Sequence, residues 1–334
     1  MKKTEALEKL DAAMRLQNKS RDTRKTYRGW VERYLLFVEE TKPQGKAADK
    51  LNSFISQLVS SDPQPALSTQ KQAFFSVLYF YKHVLDANMD GANPPSGRRD
   101  QKTFNILSRD QIVKLIQTLP KEYKLIASLL YGTGMRIGEC LALRIKDVDF
   151  EHGFLYVQEG KGDKARRVDL PPTLVSNLKA QVEYARHVYE FDQRTGMAGV
   201  YIPHLYAKKK PEAATSFEWF WLFPNPNYGK DPDSGVKRRH HVYTWDVQDA
   251  FQEARKAAKL PIYTTPHTLR HCYATHYLEK VLRDLPPIPN IGRFARDLLR
   301  EKMGHVDANT TDVYIHLAMP KNVITNHSPL SELE

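Results

Sequence analysis

Cysteine is nearly absent: Cys140 and Cys272 are the only two in 334 residues. This rules out a disulfide framework, and with no CxxC pair the usual cysteine-based metal sites are not expected either; both point to a reducing interior. Acidic charge is in deficit, with 39 Asp and Glu against 50 Lys and Arg and a formal net charge of +11. An excess of that size suits a polyanionic partner, nucleic acid first and an anionic membrane surface second. Long hydrophobic runs are missing, so no bilayer-spanning segment is expected. The N-terminal "MKKTEALEKLDAAMRLQ" carries acids and no apolar stretch, unlike a signal peptide. No internal repeat is found.

The first 90 residues read as helices. "SRDTRKTYRGWVERYLLFVEE" begins at a capping residue, Ser20, and sets Tyr27, Trp30, Val31, Tyr34, Leu35 and Val38 at helical spacing. Arg21, Arg24, Lys25 and Arg28 lie mostly off that stripe, an arrangement suited to phosphate contact. "KAADKLNSFISQLVSS" and "LSTQKQAFFSVLYFYKHVL" are further amphipathic helices. A Gly-, Pro- and Asn-rich stretch begins near residue 86, and its span 91–104 is assigned as the linker.

From residue 105 the pattern is mixed. "SRDQIVKLIQTL" is a helix capped by Ser108. "EYKLIASLLYGTGMRIGECLALRIKDV" reads as a buried helix, a glycine-rich break and a second helix. "FLYVQ" and "ARRVDL" are short strands flanking a hairpin whose tip holds Gly160, Lys161 and Gly162. "PTLVSNLKAQVEYARHVYEF" is a long helix, and "TWDVQDAFQEARKAA", "TPHTLRHCYATHYLEKVL", "RFARDLLREKMG" and "TTDVYIHLA" complete a helical C-terminal half. The expected fold is mainly α with a small antiparallel sheet. Residues 1–90 form a helical domain and 105–334 a second, α-rich one, arranged as a clamp.

Several side chains in the second domain could do chemistry. Arg136 emerges from "GTGM", with Glu139 one turn away to orient it. In "YTTPHTLRHCYATH", Thr265 can cap and Pro266 suits the first turn, so His267 and Arg270 share one face. His271 lies four residues after His267, but a zinc-protease helix needs Glu after the first His, and Thr268 stands there. No metal site is expected. "MGHVDANTTDVYIH" places Tyr314 nine residues after His305 in a polar run. Such a tyrosine is either a helix-packing residue or a positioned phenol. Taken singly, each of these residues has an ordinary structural explanation. Together and in order, Arg136, Lys161, His267 with Arg270, His305 and Tyr314 form a set.

That set resembles the tyrosine recombinases, or phage-integrase-like site-specific recombinases, most specifically in "GTGMRIGE", "HTLRH" and "MGHVDANTTDVYIH". The resemblance implies a helical core-binding (SAM-like) domain followed by a catalytic domain. It implies metal- and ATP-independent strand transfer through a 3′-phosphotyrosine, with no cofactor. Tyr314 is then the nucleophile, with Arg136 and Arg270 holding the non-bridging oxygens. His267 takes the tyrosine proton, Lys161 protonates the leaving 5′ oxygen, and His305 bonds a non-bridging oxygen.

A narrower resemblance lies in an insertion at about 192–242. It combines Lys208, Lys209 and Lys210 with Phe217, Trp219, Phe220, Trp221 and Phe223, then Lys237, Arg238, Arg239, His240 and His241. Bases that have lost their neighbours stack on aromatics while cations hold the backbone. "WLFP", "DPDSG", "RRHH" and the C-terminal "SPLSEL" are similar to the integron integrases. That implies substrates folded as single-stranded hairpins, with Trp219, Pro232, His240 and His241 gripping extrahelical bases. It also implies a homotetramer on DNA with tails, about 318–334, docked on neighbours; the free protein is expected to be monomeric, cytoplasmic and nucleoid-associated. Two positions depart from the pattern. The step of 35 residues from Arg270 to His305 is long and carries Pro286, Pro287 and Pro289, and Cys272 stands where serine is common. The alternatives are a duplex-DNA tyrosine recombinase of phage or chromosome-dimer-resolution type, a type IB topoisomerase, and a DNA-binding protein without catalysis.

Overall fold

The computed structural model describes residues 2–97, 105–158, 165–231, 234–284 and 291–304. The chain divides into two compact units, Met1–Thr103 and Phe104–Glu334.

The first unit holds α1 (Lys3–Leu16), α2 (Arg21–Thr41), α3 (Ala47–Val59) and α4 (Leu67–His83). Helix α2 starts where the sequence places it, with the Ser20 hydroxyl accepting from the Thr23 N–H at 3.3 Å. Its length lets it serve two apolar clusters. Trp30, Tyr34 and Phe37 pack with α3 and α4 through Leu51, Phe54, Phe74 and Val77. Val31 packs with Leu7, Leu10 and Met14 of α1 and Phe80 of α4. In the first cluster the buried hydroxyls of Tyr34 and Tyr81 bond each other at 2.5 Å, so neither is left unpaired in an apolar setting.

The second unit begins with α5 (Arg109–Thr118), α6 (Lys121–Thr133) and the short α7 (Ile137–Leu141). Ser108 caps α5 as expected: its hydroxyl accepts from the Gln111 N–H, and the Gln111 side chain accepts from the Ser108 N–H. A three-stranded antiparallel sheet follows, β1 (Val148–Asp149), β2 (Phe154–Val157) and β3 (Arg166–Asp169). Leu155, Val157 and Val168 face the core. Then come α8 (Val175–Arg194), α9 (His204–Lys209), a two-stranded hairpin of β4 (Pro224–Lys230) and β5 (Lys237–His241), α10 (Thr244–Ala257), α11 (Pro266–Asp284) and α12 (Ile291–Met303). The buried α6 packs along α11, and one continuous apolar core joins α5, α6, β2, β3, α8, α10 and α11. Among the described residues no helix is long and apolar enough to cross a membrane.

The β4–β5 hairpin is absent from the sequence expectation. Strand β4, "PNPNYGK", holds two prolines, two asparagines and a glycine, all poor strand formers, and its register with β5 is irregular between Pro224 and Tyr228. Tertiary packing overrides that local preference. The helix after the glycine break is also shorter than expected, ending at Leu141.

Candidate active site

The turn between α6 and α7 is set by close packing. Gly134 ends α6 in the left-handed region, φ +68, and a Cβ there would lie 2.3 Å from the Tyr273 ring of α11. Only glycine meets both demands. The turn brings Arg136 to the head of α7, with 44% of its side chain exposed.

Glu139 holds that arginine. Its carboxylate accepts from the Arg136 N–H at 2.7 Å and from Arg136 Nη1 at 2.6 Å. It also accepts from Arg166 of β3, Nη1 at 3.2 Å and Nη2 at 2.7 Å. Burial pushes the Glu139 carboxyl up, but the Arg166 hydrogen bonds and the Arg136 N–H, with the charges beside them, outweigh it and hold the group below the usual carboxylate range. An ionised Glu139 thus fixes Arg136 from the protein side. The sequence reading missed Arg166. Strand alternation could have found it, because Arg166 shares a strand face with buried Val168 and Leu170 while Arg167 points away.

Arg270 is 2% exposed. Its guanidinium donates through Nη1 to the Gly134 carbonyl and through Nη2 to the Met303 carbonyl at 2.9 Å. Arg136 Nη2 approaches the Gly304 carbonyl at 3.5 Å. Both arginines therefore meet the backbone at the end of α12, and His305 is the next residue in sequence. Helix α12 reaches this point by packing Ala295, Leu299 and Met303 on Ala274 and Leu278 of α11. Lys302 pairs with Asp169 of β3. His267 is exposed in the first turn of α11, its ring edge-on to His271 at 4.6 Å. The structure thus brings together Arg136, Arg270 and the segment leading to His305. Lys161, His305 and Tyr314 lie outside the described residues, as do Pro232, the prolines at 286, 287 and 289, and the tail. Among the described residues no cluster of three or more His, Cys, Asp or Glu could hold a metal.

The other candidate contacts are dispersed. In the first unit Arg21, Lys25 and Arg28 are exposed, whereas Arg24 is part-buried and bonds Asp11 of α1 at 3.4 Å. Lys208, Lys209 and Lys210 are exposed beside α9. The segment around α9, β4 and β5 has its own small core, in which Val200, Ile202, Ala213, Phe220 and Trp221 pack with Ala185 of α8. Backbone bonds tie it to the domain, Leu222 N–H to the Leu143 carbonyl at 2.9 Å and Ile145 N–H to the Phe220 carbonyl at 3.0 Å. Trp219 is part-buried against that core, 4.5 Å from the Tyr206 ring, with Lys146 Nζ over its face at 4.1 Å.

Arg239 corrects the sequence expectation. It is 4% exposed, too buried to meet a phosphate. Its Nε and Nη2 donate to the two oxygens of Asp192 on α8, each at 2.6 Å, and Nη1 donates to the Asn225 carbonyl at 2.6 Å. Tyr228 adds its hydroxyl to Asp192 at 2.8 Å. Removing one partner strands a buried charge. Arg239→Ala is therefore expected to lower stability by about 3–5 kcal/mol, read as a drop in thermal unfolding midpoint. An unchanged midpoint would show that the pair is not a clamp on the hairpin. Arg238 donates to the Ala198 carbonyl at 2.7 Å and stays partly exposed, and Lys237 is exposed.

His240 and His241 pack around Trp221, at 5.6 and 4.9 Å. Burial pushes His241 down to about 4, with the His240 and Arg144 charges acting in the same direction. A neutral His241 donates from Nδ1 to the Val242 carbonyl at 2.7 Å.

Residues 105–321 match the phage integrase family, and residues 6–90 match the phage integrase N-terminal SAM-like domain. An Escherichia coli protein described as integrase/recombinase is 36% identical over 318 residues, covering 95% of this chain and 90% of that protein. The tyrosine recombinase XerA of Pyrococcus furiosus is 27% identical over 316 residues, covering 93% and 89%. Among solved structures, the XerH site-specific recombinase in a pre-cleavage complex with its difH substrate has a similar fold. Its TM-score is 0.58 at 18% identity, covering 94% of this chain and 81% of that one.

Proposed function

We propose, from the premise that the chain belongs to the phage integrase family and is a tyrosine recombinase of the phage-integrase/Xer type, that Tyr314 carries out strand cleavage at folded single-stranded hairpin sites. Enzymes of this class cleave and rejoin DNA strands. In the proposed step the Tyr314 oxygen bonds to phosphorus while the bond to the 5′ oxygen breaks. The product is a 3′-phosphotyrosine and a 5′ hydroxyl. His267 takes the phenol proton and Lys161 gives one to the leaving oxygen. Arg136 and Arg270 neutralise the charge that builds on the non-bridging oxygens, with His305 adding a hydrogen bond. Attack by another strand's 5′ hydroxyl reverses the step, so the bond energy is conserved and no ATP is consumed.

The observation that carries this reading is the meeting of Arg136 and Arg270 at the carbonyls of Gly304 and Met303, directly before His305. Two guanidiniums from different helices gathered at one chain segment suit a site for a phosphate between them. DNA as partner is further supported by the structural neighbour, XerH bound to difH.

The hairpin preference rests on the insertion, where the part-exposed Trp219, His240 and His241 lie with exposed lysines. Four copies then meet on paired hairpins, joined by the tails at 318–334. A second reading, a duplex-DNA recombinase of Xer or phage type, is favoured by two observations: Arg239 is consumed by Asp192, and Trp219 packs on the insertion's own core. Gel-shift competition separates the two. One substrate is a folded strand bearing extrahelical bases, the next is the same hairpin with those bases deleted, and the third is the perfect duplex. Each stacked base is worth about 1–3 kcal/mol, so the first should bind roughly 5- to 150-fold more tightly than the second. Equal affinity for all three would reject the hairpin reading and leave the duplex recombinase.

A further inference from the structure

Four rings climb out of the β4–β5 hairpin onto α10. Trp221 lies at the base, 4% exposed. The His240 ring sits 5.6 Å from it, tilted by 34°. Tyr243 stacks on His240 at 5.5 Å and 23°. Trp245 stacks on Tyr243 at 4.2 Å and 19°. The column is buried at one end and open at the other, because Trp245 is 57% exposed.

Packing does not account for that last ring. The buried face of α10 is Val247, Phe251 and Ala254. Trp245, two residues before Val247, falls on a different side of the helix. Of the other tryptophans, Trp30 and Trp221 are buried and Trp219 is part-buried. Leaving a large indole in water has no folding benefit. Its orientation is nonetheless fixed from beneath. The Tyr243 hydroxyl lies so close to Gly229 of β4 that a Cβ there would be 2.7 Å away. A flat aromatic surface is thus held rigid, and the strand feeding it carries the cations Lys237 and Arg238.

We infer that Trp245 is the landing surface for an unpaired nucleobase of single-stranded DNA, which stacks on the exposed indole as the next rung above Trp245. The ligand class follows from three properties. The two outer steps of the column, His240 to Tyr243 and Tyr243 to Trp245, are stacked, the geometry that offset rings prefer. Every base offers a π-face, so stacking tolerates any sequence. The chain carries +11 and acts on DNA, so a polyanion is present whenever the enzyme works. This site is additional to Trp219, His240 and His241 as base contacts. It rests on the reading that unpaired bases occur in the substrate.

The test is fluorescence anisotropy with a labelled oligothymidylate, run on wild type, Trp245→Ala and Trp245→Phe. Trp245→Ala should weaken binding roughly 5- to 150-fold, and Trp245→Phe should keep most of it. Thermal unfolding of Trp245→Phe should match wild type, and Trp245→Ala should lose only its one stack on Tyr243. Affinity for a blunt perfect duplex should not change. Irradiating the complex with a 5-iodouracil oligonucleotide should cross-link the peptide containing Trp245. Unchanged oligothymidylate affinity in Trp245→Ala, equal losses on single strand and duplex, or cross-links only elsewhere would each overturn the site. A changed oligomeric state without any effect on oligothymidylate would overturn it too, and assign the surface to a second copy. The hairpin competition in wild type is a separate readout. If hairpin preference is absent while Trp245→Ala still loses the oligothymidylate, the hairpin reading falls and this site stands. If the preference holds while Trp245→Ala binds like wild type, this site alone falls.

Discussion

Tyr314→Phe is expected to abolish cleavage and leave DNA affinity nearly unchanged. The substitution removes one oxygen, the atom proposed to bond phosphorus, and keeps the aromatic ring that carries it. Affinity is expected to come mainly from cations spread over the chain, with exposed Arg21, Lys25, Arg28 and Lys208 as the proposed contacts, and a phenol oxygen adds little to such a sum. A nicked substrate whose leaving strand diffuses away traps the covalent product, so even slow cleavage accumulates and is visible on a denaturing gel. Undiminished adduct in the Phe variant would mean that another tyrosine attacks. Tyr273 and Tyr277 of α11 are the next candidates in sequence. They stack on each other at 5.6 Å, and burial pushes both phenols up, which argues against either as a ready nucleophile.

The second large effect belongs to the two arginines, and the structure separates them. Arg136→Ala should slow cleavage by roughly a hundredfold or more, the usual consequence of losing one charge-stabilising donor. It should barely change stability, because Arg136 is exposed and Glu139 keeps Arg166. Arg270→Ala should slow cleavage at least as much and also unfold earlier. Its buried guanidinium serves the Gly134 and Met303 carbonyls, which lose their donor together. Hydrogen bonds to a charged group contribute about 1.5–3 kcal/mol, so the midpoint should fall by roughly 5–10 °C. Lysine should rescue either position poorly, since a point charge cannot copy a planar fork. Single-turnover cleavage beside a thermal melt reads both quantities. Equal melting losses in the two variants would contradict the division of labour between an exposed and a buried arginine.

Much of this arrangement was legible in the sequence wherever local chemistry decides local structure. Ser20 and Ser108 both accept from the N–H three residues on, as their positions before apolar runs predict. "GTGMR" breaks the helix at Gly134 because that residue takes a positive φ against the Tyr273 ring. His267 and Arg270 fall on one helix by their spacing alone.

What escaped the sequence depends on partners far along the chain. "KRRHH" reads as a cationic patch, yet Arg239 is turned inward by Asp192, on a helix that ends before the hairpin begins. A trace of that pairing was present on α8. Asp192 continues the buried stripe of Leu178, Val182 and Ala185, and a carboxylate there requires a cation. Arg166 was overlooked for a similar reason: its carboxylate, Glu139, sits on α7, 27 residues earlier in the chain. Strand β4 gave no signal, because Pro224, Pro226 and Gly229 disfavour a strand, which is held instead by pairing with β5 and by the Tyr228 hydroxyl on Asp192 of α8.

The most direct measurement is to trap the covalent complex on a nicked substrate, digest it with protease and identify the modified peptide. The prediction is a single adduct on the peptide containing Tyr314, joined through the phosphate at the 3′ end of the cleaved strand, with a free 5′ hydroxyl on the other side of the break. An adduct on Tyr273, Tyr277 or any other residue, or one joined through a 5′ phosphate, would contradict the mechanism.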